Sequence, residues 1–291
     1  MSNAQRTTLT VHRDHRRDFA DNRYVYAVIS RRSKGLSIGV NLNPDKICNF
    51  DCIYCQVDRS TPGDDKDVDL PRLKVELETM LDAIASSELF HHERFQHTPP
   101  PLRRLNDVAF SGDGEPTTCP QFLDAVRLAA AAKSSRGLDT LKLVLITNAT
   151  QLHKARVREA LALLAANNGE VWAKLDAGTE AYYQRIERTT IPFARVLANL
   201  RATARVMPLV IQAMFLRLAG VSPAPAEREA FCERLNEIVR DGGRIARVQV
   251  YTVARTPAES SVTALSDAEV DDLADLVRRR TGLDVEAYYG N

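Results

Sequence analysis

From residue 36 onward the chain alternates short apolar runs rich in Val, Ile and Leu with longer stretches of helical period. LSIGVNL (36 to 42), NDVAFS (106 to 111), LKLVLIT (141 to 147), EVWAKLD (170 to 176), LVIQAMFLR (209 to 217) and RIARVQVYTV (244 to 253) read as strands. PRLKVELETMLDAI opens with Pro71, suited to the first turn of a helix, and sets Val75, Leu77, Met80, Leu81 and Ile84 on roughly one face. Further helices are expected over 121–133, 152–166, 180–188, 193–206 and 227–239, the last stopping near Gly242 and Gly243. In SDAEVDDLADLVRRRTG, Ser266 and Glu269 form a capping box, Arg278 to Arg280 fill the last turn and Gly282 ends it. Six strands alternating with helices predict an α/β fold: a partial (β/α)6 TIM-like barrel of parallel strands, with a doubly wound open sheet as the alternative. The expected organisation is a basic N-terminal segment, 1–35, and a single domain, 36–291, with a C-terminal extension.

Composition agrees with a packed core, at 44% hydrophobic over 291 residues. The apolar stretch VMPLVIQAMFLRLAGV is broken by Pro208 and Arg217 and is too short to span a bilayer. No apolar run follows the basic N-terminus, so a soluble cytoplasmic protein without a membrane partner is expected. Net charge is only +1, yet residues 1–34 carry eight Arg or Lys against three Asp. Such an arm suits either contact with RNA phosphates, Arg13, Arg16, Arg17, Arg31 and Arg32 being the candidates, or simple solvation.

The five cysteines change the picture more. Cys48, Cys52 and Cys55 have the spacing C-x3-C-x2-C directly after the first strand, hence at the carboxyl end of the sheet, where α/β folds keep their chemistry. Structural zinc wants four ligands, and the next cysteine is the distant Cys119. A [4Fe-4S] cluster held by three thiolates instead leaves one iron open to a small molecule. Zinc with a remote fourth ligand stays open on these grounds. Cys119, at an expected helix start, is a candidate low-pKa thiol or a plain small residue, and Cys232 a half-buried core thiol. Gln212 either faces a substrate or pairs with a polar neighbour.

CNFDCIYC resembles the signature of the radical S-adenosylmethionine (radical SAM) superfamily. The resemblance implies a [4Fe-4S] cluster on Cys48, Cys52 and Cys55 and S-adenosyl-L-methionine bound at the open iron. It further implies an electron donor such as flavodoxin or ferredoxin, and a 5′-deoxyadenosyl radical that abstracts hydrogen from substrate. Tyr54 occupies the aromatic position that in the family lies against adenine. FSGDGEPT resembles the family's Gly-Gly-Glu-Pro element, here Gly112, Asp113, Gly114, Glu115 and Pro116, with glycines for close approach and a carboxylate for the methionine ammonium. LITNAT resembles the segment with a Thr-Asn pair beside the ligand, here Thr147 and Asn148. In KLDAG, strand alternation sets Lys174 and Asp176 on one face, towards the barrel interior or as a solvated ion pair. QVYTVAR occupies the adenine-contacting position, making Val250 and Tyr251 candidates.

Together these stretches look most like the branch of the tRNA wyosine-base synthases and their bacterial relatives, which makes tRNA a candidate partner beside a small metabolite. Unlike wyosine synthases with a second cluster, this chain has no cysteine before Cys48. The expected activity is oxidoreductase or transferase in type. The competing expectation is a zinc-stabilised RNA-binding module without redox chemistry.

Overall fold

The computed structural model describes residues 19–63, 67–255, 257 and 259–290. The arm residues Arg13, Arg16 and Arg17 lie outside them. The strands are β1 (Val25–Ser30), β2 (Gly35–Val40), β3 (Leu105–Phe110), β4 (Lys142–Thr147), β5 (Gly169–Lys174), β6 (Leu209–Met214), β7 (Leu216–Leu218), β8 (Ile245–Tyr251), β9 (Val262–Ala264) and β10 (Val285–Tyr288). The helices are α1 (Leu70–Ala85), α2 (Phe122–Ser134), α3 (Ala155–Ala165), α4 (Glu180–Glu187), α5 (Phe193–Val206), α6 (Pro225–Arg240) and α7 (Asp267–Thr281). Eight strands form one sheet in the order β1-β2-β3-β4-β5-β6-β8-β10, while β7 and β9 make a small antiparallel pair. All neighbours in the large sheet are parallel except β1 and β2.

This order decides between the two architectures expected. A doubly wound sheet reverses direction partway, whereas here each strand is added on the same side as the last. Right-handed crossovers then put every helix on one face and curl the sheet. The result is the partial barrel, extended beyond six strands by β1 and β10. Its edges are linked by side chains: Arg31 Nη1 donates to the Tyr289 carbonyl at 2.6 Å, and Lys34 pairs with Glu286 at 2.9 Å.

Alternation along each strand separates two faces. Val25, Ala27, Ile29, Leu36, Ile38 and Val40 pack outward into the main core with the helices. Ala109, Val144, Trp172 and Val210 form a small separate cluster on the inner face. Helix ends follow their sequence signals. Ser266 and Glu269 make the reciprocal capping box of α7, and Gly282 takes the left-handed conformation, φ 70°, that stops it. One expectation shifts. Val75, assigned to the apolar face of α1, is 62% exposed, since the buried stripe runs through Leu73, Glu76, Leu77, Met80 and Leu81. Glu76 is buried because its carboxylate caps the start of β1, accepting from the backbone N–H groups of Arg23, Tyr24 and Val25. No helix among the described residues is long and apolar enough to cross a membrane.

Candidate functional site

The cysteines sit in the long loop between β2 and α1, at the carboxyl end of β2. Apolar anchors alternate with the thiols. Phe50, Ile53 and Tyr54 are buried, with Phe50 set edge-on to Tyr183 at 5.8 Å, whereas Cys48, Cys52 and Cys55 are only partly buried. The loop is also held by the end of α4, whose last carbonyls have no intrahelical donor. Ile53 N–H donates to the Ile186 carbonyl at 2.9 Å and Asp51 N–H to that of Glu187 at 3.0 Å. Asn49 completes the attachment, accepting from Asn148 Nδ2 and donating to Thr150 Oγ1, both at 2.7 Å.

A cavity of about 270 Å³ opens along the inner face beneath this loop. The three thiols line it together with Tyr54, Gly112, Asp113, Gly114, Glu115, Thr147, Asn148 and Lys174. Four segments separated by up to 126 positions, from Cys48 to Lys174, are thus brought to one place because each ends a neighbouring strand. Asp176 lies behind Lys174 and does not itself line the cavity. Val250 is not brought there either: alternation on β8 turns it into the outer core and turns Tyr251 inward. Gln212 is buried and donates to Gln249 at 3.0 Å, which is the pairing alternative.

Glu115 is buried and its carboxylate accepts four hydrogen bonds: from Thr147 Oγ1 at 2.7 Å, Asn148 N–H at 2.6 Å, Thr117 N–H at 3.1 Å and the Thr117 hydroxyl. It ties the ends of β3 and β4 together. Burial pushes its pKa up against these bonds, which favour the ionised form. The neighbouring glycines serve close packing of the cavity wall. A Cβ on Gly112 would come within 2.2 Å of Asn41 Oδ1, and one on Gly114 within 2.3 Å of the Ile47 carbonyl. The Gly-Asp-Gly loop therefore lies directly on the stretch that leads into Cys48. Asp113 faces the same stretch, accepting from Asn41 Nδ2 at 2.7 Å.

The opposite wall is ionic. Lys174 pairs with Asp176 at 2.8 Å, with side chains 19% and 0% exposed, so this is a buried pair and not a solvated one. Asp176 also accepts from Met214 N–H at 2.7 Å and from the Tyr54 hydroxyl, while the Lys174 ammonium lies 4.6 Å from the Tyr54 ring centre. Burial opposes the lysine charge, but Asp176 and Tyr251 outweigh it and raise the pKa well above the ordinary value. Glu187 sits against the same group. Burial and then Asp176 push its carboxyl well above the usual carboxylate range.

Burial also pushes the Cys48 and Cys52 thiols up, Cys52 the further, with Glu187 adding to the shift at Cys52. Among the described residues no three thiol, imidazole or carboxylate groups converge as a metal centre. The donor set nevertheless fits an iron–sulfur cluster in type and number: three unpaired thiols share one cavity wall, with no histidine and no fourth cysteine on its lining. Ligation requires the loop to gather them and their protons to leave. Cys119 corrects a reading. It is buried ahead of α2, off the cavity lining, and burial lifts its pKa to about 11 where a helix terminus was expected to lower it. Cys232 is fully buried in the core.

Sequence reasoning missed most of the inner floor of the site and named Arg32 only as a candidate contact for RNA phosphates. Arg32, Asp107, Trp172 and Met214 line the cavity but belong to no motif. The available signal was alternation within VYAVIS, which makes 25–30 a strand and brings the following turn to the sheet.

No family model matches the chain. It is 25% identical over 248 residues to a UPF0026 protein of Helicobacter pylori, covering 84% of this chain and 70% of that one. Its fold is similar to a radical SAM methyltransferase from Sphaerobacter thermophilus, with a TM-score of 0.62 and 12% identity, covering 91% of this chain and 69% of that one. It is also similar to TYW1 with a lysine–pyruvate adduct bound, with a TM-score of 0.53 and 14% identity over 86% of this chain and 74% of that one. The half-barrel is the fold of radical SAM proteins. The superfamily resemblance read from the motifs is thus matched at the level of the fold, which these two structures share.

Proposed function

We propose that the chain is a radical SAM enzyme whose Cys48, Cys52 and Cys55 hold a [4Fe-4S] cluster. The observation that carries this reading is the common cavity wall shared by three unpaired thiols and the Gly112–Glu115 loop, with no fourth thiol or imidazole beside them. Bound there, the cluster would supply one-electron reductive cleavage of S-adenosyl-L-methionine and so the 5′-deoxyadenosyl radical.

The protein's own groups bind and orient. Glu115 acts as a positioning residue, fixing Thr147 and Asn148 against the Gly112–Gly114 loop so that Asp113 and backbone donors form one side of the cofactor site. Tyr54, clamped by Asp176, presents its ring on the other side, with Lys174 over it. The buried walls exclude water from a reactive intermediate. The substrate enters along the inner face of the half-barrel, with a tRNA base and a small metabolite as candidates, and an electron donor of the flavodoxin or ferredoxin kind completes the cycle. The zinc-stabilised RNA-binding alternative is less favoured because the lining offers no fourth thiol and no imidazole, the donors that closed structural zinc sites use.

The test is anaerobic reconstitution with iron and sulfide, followed by reduction in the presence of S-adenosylmethionine. Wild type and Cys119→Ala are expected to release methionine and 5′-deoxyadenosine, and Cys52→Ala to lose both iron and products. Colourless wild-type protein carrying stoichiometric zinc would overturn the reading.

A further inference from the structure

The cations along the cavity are not equivalent. Lys174 is neutralised by Asp176. Arg59 donates to the Phe50 carbonyl and lies 3.7 Å from Asp51. At the lower mouth, Lys142 pairs with Glu170 at 2.5 Å and Lys34 with Glu286 at 2.9 Å. Arg32 differs. It rises from the β1–β2 turn, at the opposite end of β2 from the cysteine loop, and lines both the cofactor cavity and a second, adjoining one of about 240 Å³. Its guanidinium lies over two rings from the far wall, 5.2 Å from the centre of Tyr251 and 5.9 Å from that of Trp172. It makes no hydrogen bond or ion pair to a described residue.

Aromatic faces fix a guanidinium in position without satisfying its N–H donors. A half-buried arginine held this way presents a planar, preorganised fork that matches a carboxylate or phosphate. We propose that Arg32 is the substrate-recognition residue of the cavity and that the substrate carries an acidic group, carboxylate or phosphate, which it binds. This rests on the reading of the cavity as the site of catalysis, but not on the cluster being bound when the anion is measured. The adjoining cavity sets Lys34, Arg104, Lys142 and Arg247 against Asp107 and Glu170 on its lining, so the approach is net positive although Arg247 lies 3.6 Å from Glu286.

Trp172 is the single tryptophan of the chain, so its fluorescence reports directly on the Arg32 contact. The full chain, before and after reconstitution, is titrated with acetate, with inorganic phosphate and with a short RNA oligonucleotide. Saturable change in Trp172 emission is expected with at least one small anion. Its affinity should fall about tenfold or more in Arg32→Gln, as for loss of a charge-assisted bond, and less in Arg32→Lys. A response to the oligonucleotide that inorganic phosphate cannot compete away would assign the acidic group to a nucleic-acid backbone; the reverse assigns it to a small molecule. Circular dichroism of both variants checks folding. Equal anion affinity in wild type and a folded Arg32→Gln, or no response to any of the three probes, would overturn the proposal. Loss of iron in Cys52→Ala with anion binding retained separates its fate from that of the cluster reading.

Discussion

Strand after strand, the residues that face the helices are apolar, whereas those that face the cavity mix charged and polar side chains with a few apolar ones. On β3, Val108 and Phe110 point outward while Asp107 points in; on β5, Val171 and Ala173 point outward while Trp172 and Lys174 point in. The outer face is stabilised by burial of apolar area alone, a non-directional force that tolerates conservative exchange. The inner face also buries charge, and its stability depends on the deeply buried Lys174 and Asp176 staying paired. One face therefore resists unfolding, and the other supplies chemistry at some cost to stability.

The comparison is tested most severely by Asp176→Ala. Removing the partner strands the Lys174 ammonium and the Met214 N–H, so urea unfolding should show a loss of about 3 to 5 kcal/mol, as large as any outer-core truncation. A loss below about 1 kcal/mol would mean that the pair is solvated and the two faces are not so different. Leu145→Ala, on the outer face of β4, should cost about 2 to 5 kcal/mol through its cavity while leaving iron incorporation at the wild-type level. Glu115→Gln keeps the shape but replaces two accepting oxygens by one, leaving at least one buried donor unmatched. It should cost about 1 to 3 kcal/mol and lower iron incorporation, because the Asn148–Asn49 link to the cysteine loop loosens.

The smallest effect sharpens the comparison through its sign. Burial raises the Asp107 carboxyl from 3.8 to about 6, against the hydrogen bond from Ser37. The folded state thus holds this proton more tightly than the unfolded chain does. Its favourable contribution is complete below the unfolded value and is lost as pH rises through about 6. Asp107→Asn removes the penalty, with part of the gain offset by a weaker bond to Ser37. Unfolding midpoints should show the variant stabilised by about 1 to 2 kcal/mol near neutrality and by almost nothing near pH 4. An identical pH profile for the two proteins would place Asp107 in a solvated environment.

The same contrast explains what the sequence disclosed. The strands β2 to β6 and β8 announced themselves as aliphatic runs because their outer faces obey a simple rule. The motif loops announced themselves because glycines, thiols and a Glu-Pro pair are unusual in combination. Strand β1 was hidden inside a segment read as a basic arm: VYAVIS is flanked by Arg23, Arg31 and Arg32, and local charge outweighed a six-residue pattern. Strand β10 was hidden by its length of four residues with only Val285 fully buried. The inner floor could not be read as one surface, although Arg32 and Tyr251 are each singled out separately in the sequence, because Arg32, Trp172 and Tyr251 meet only when the sheet curls and brings distant strands across the cavity. Even Val250, adjacent to an inward-facing residue, depended on a phase along β8 that a one-position shift reverses.

The central claim is a three-thiolate cluster with one iron left for S-adenosylmethionine, and electron paramagnetic resonance of the anaerobically reconstituted, reduced protein tests it directly. The account predicts a [4Fe-4S] signal that changes shape when S-adenosylmethionine is added and is absent from Cys52→Ala. A signal indifferent to S-adenosylmethionine, or no iron–sulfur signal at all, would contradict it.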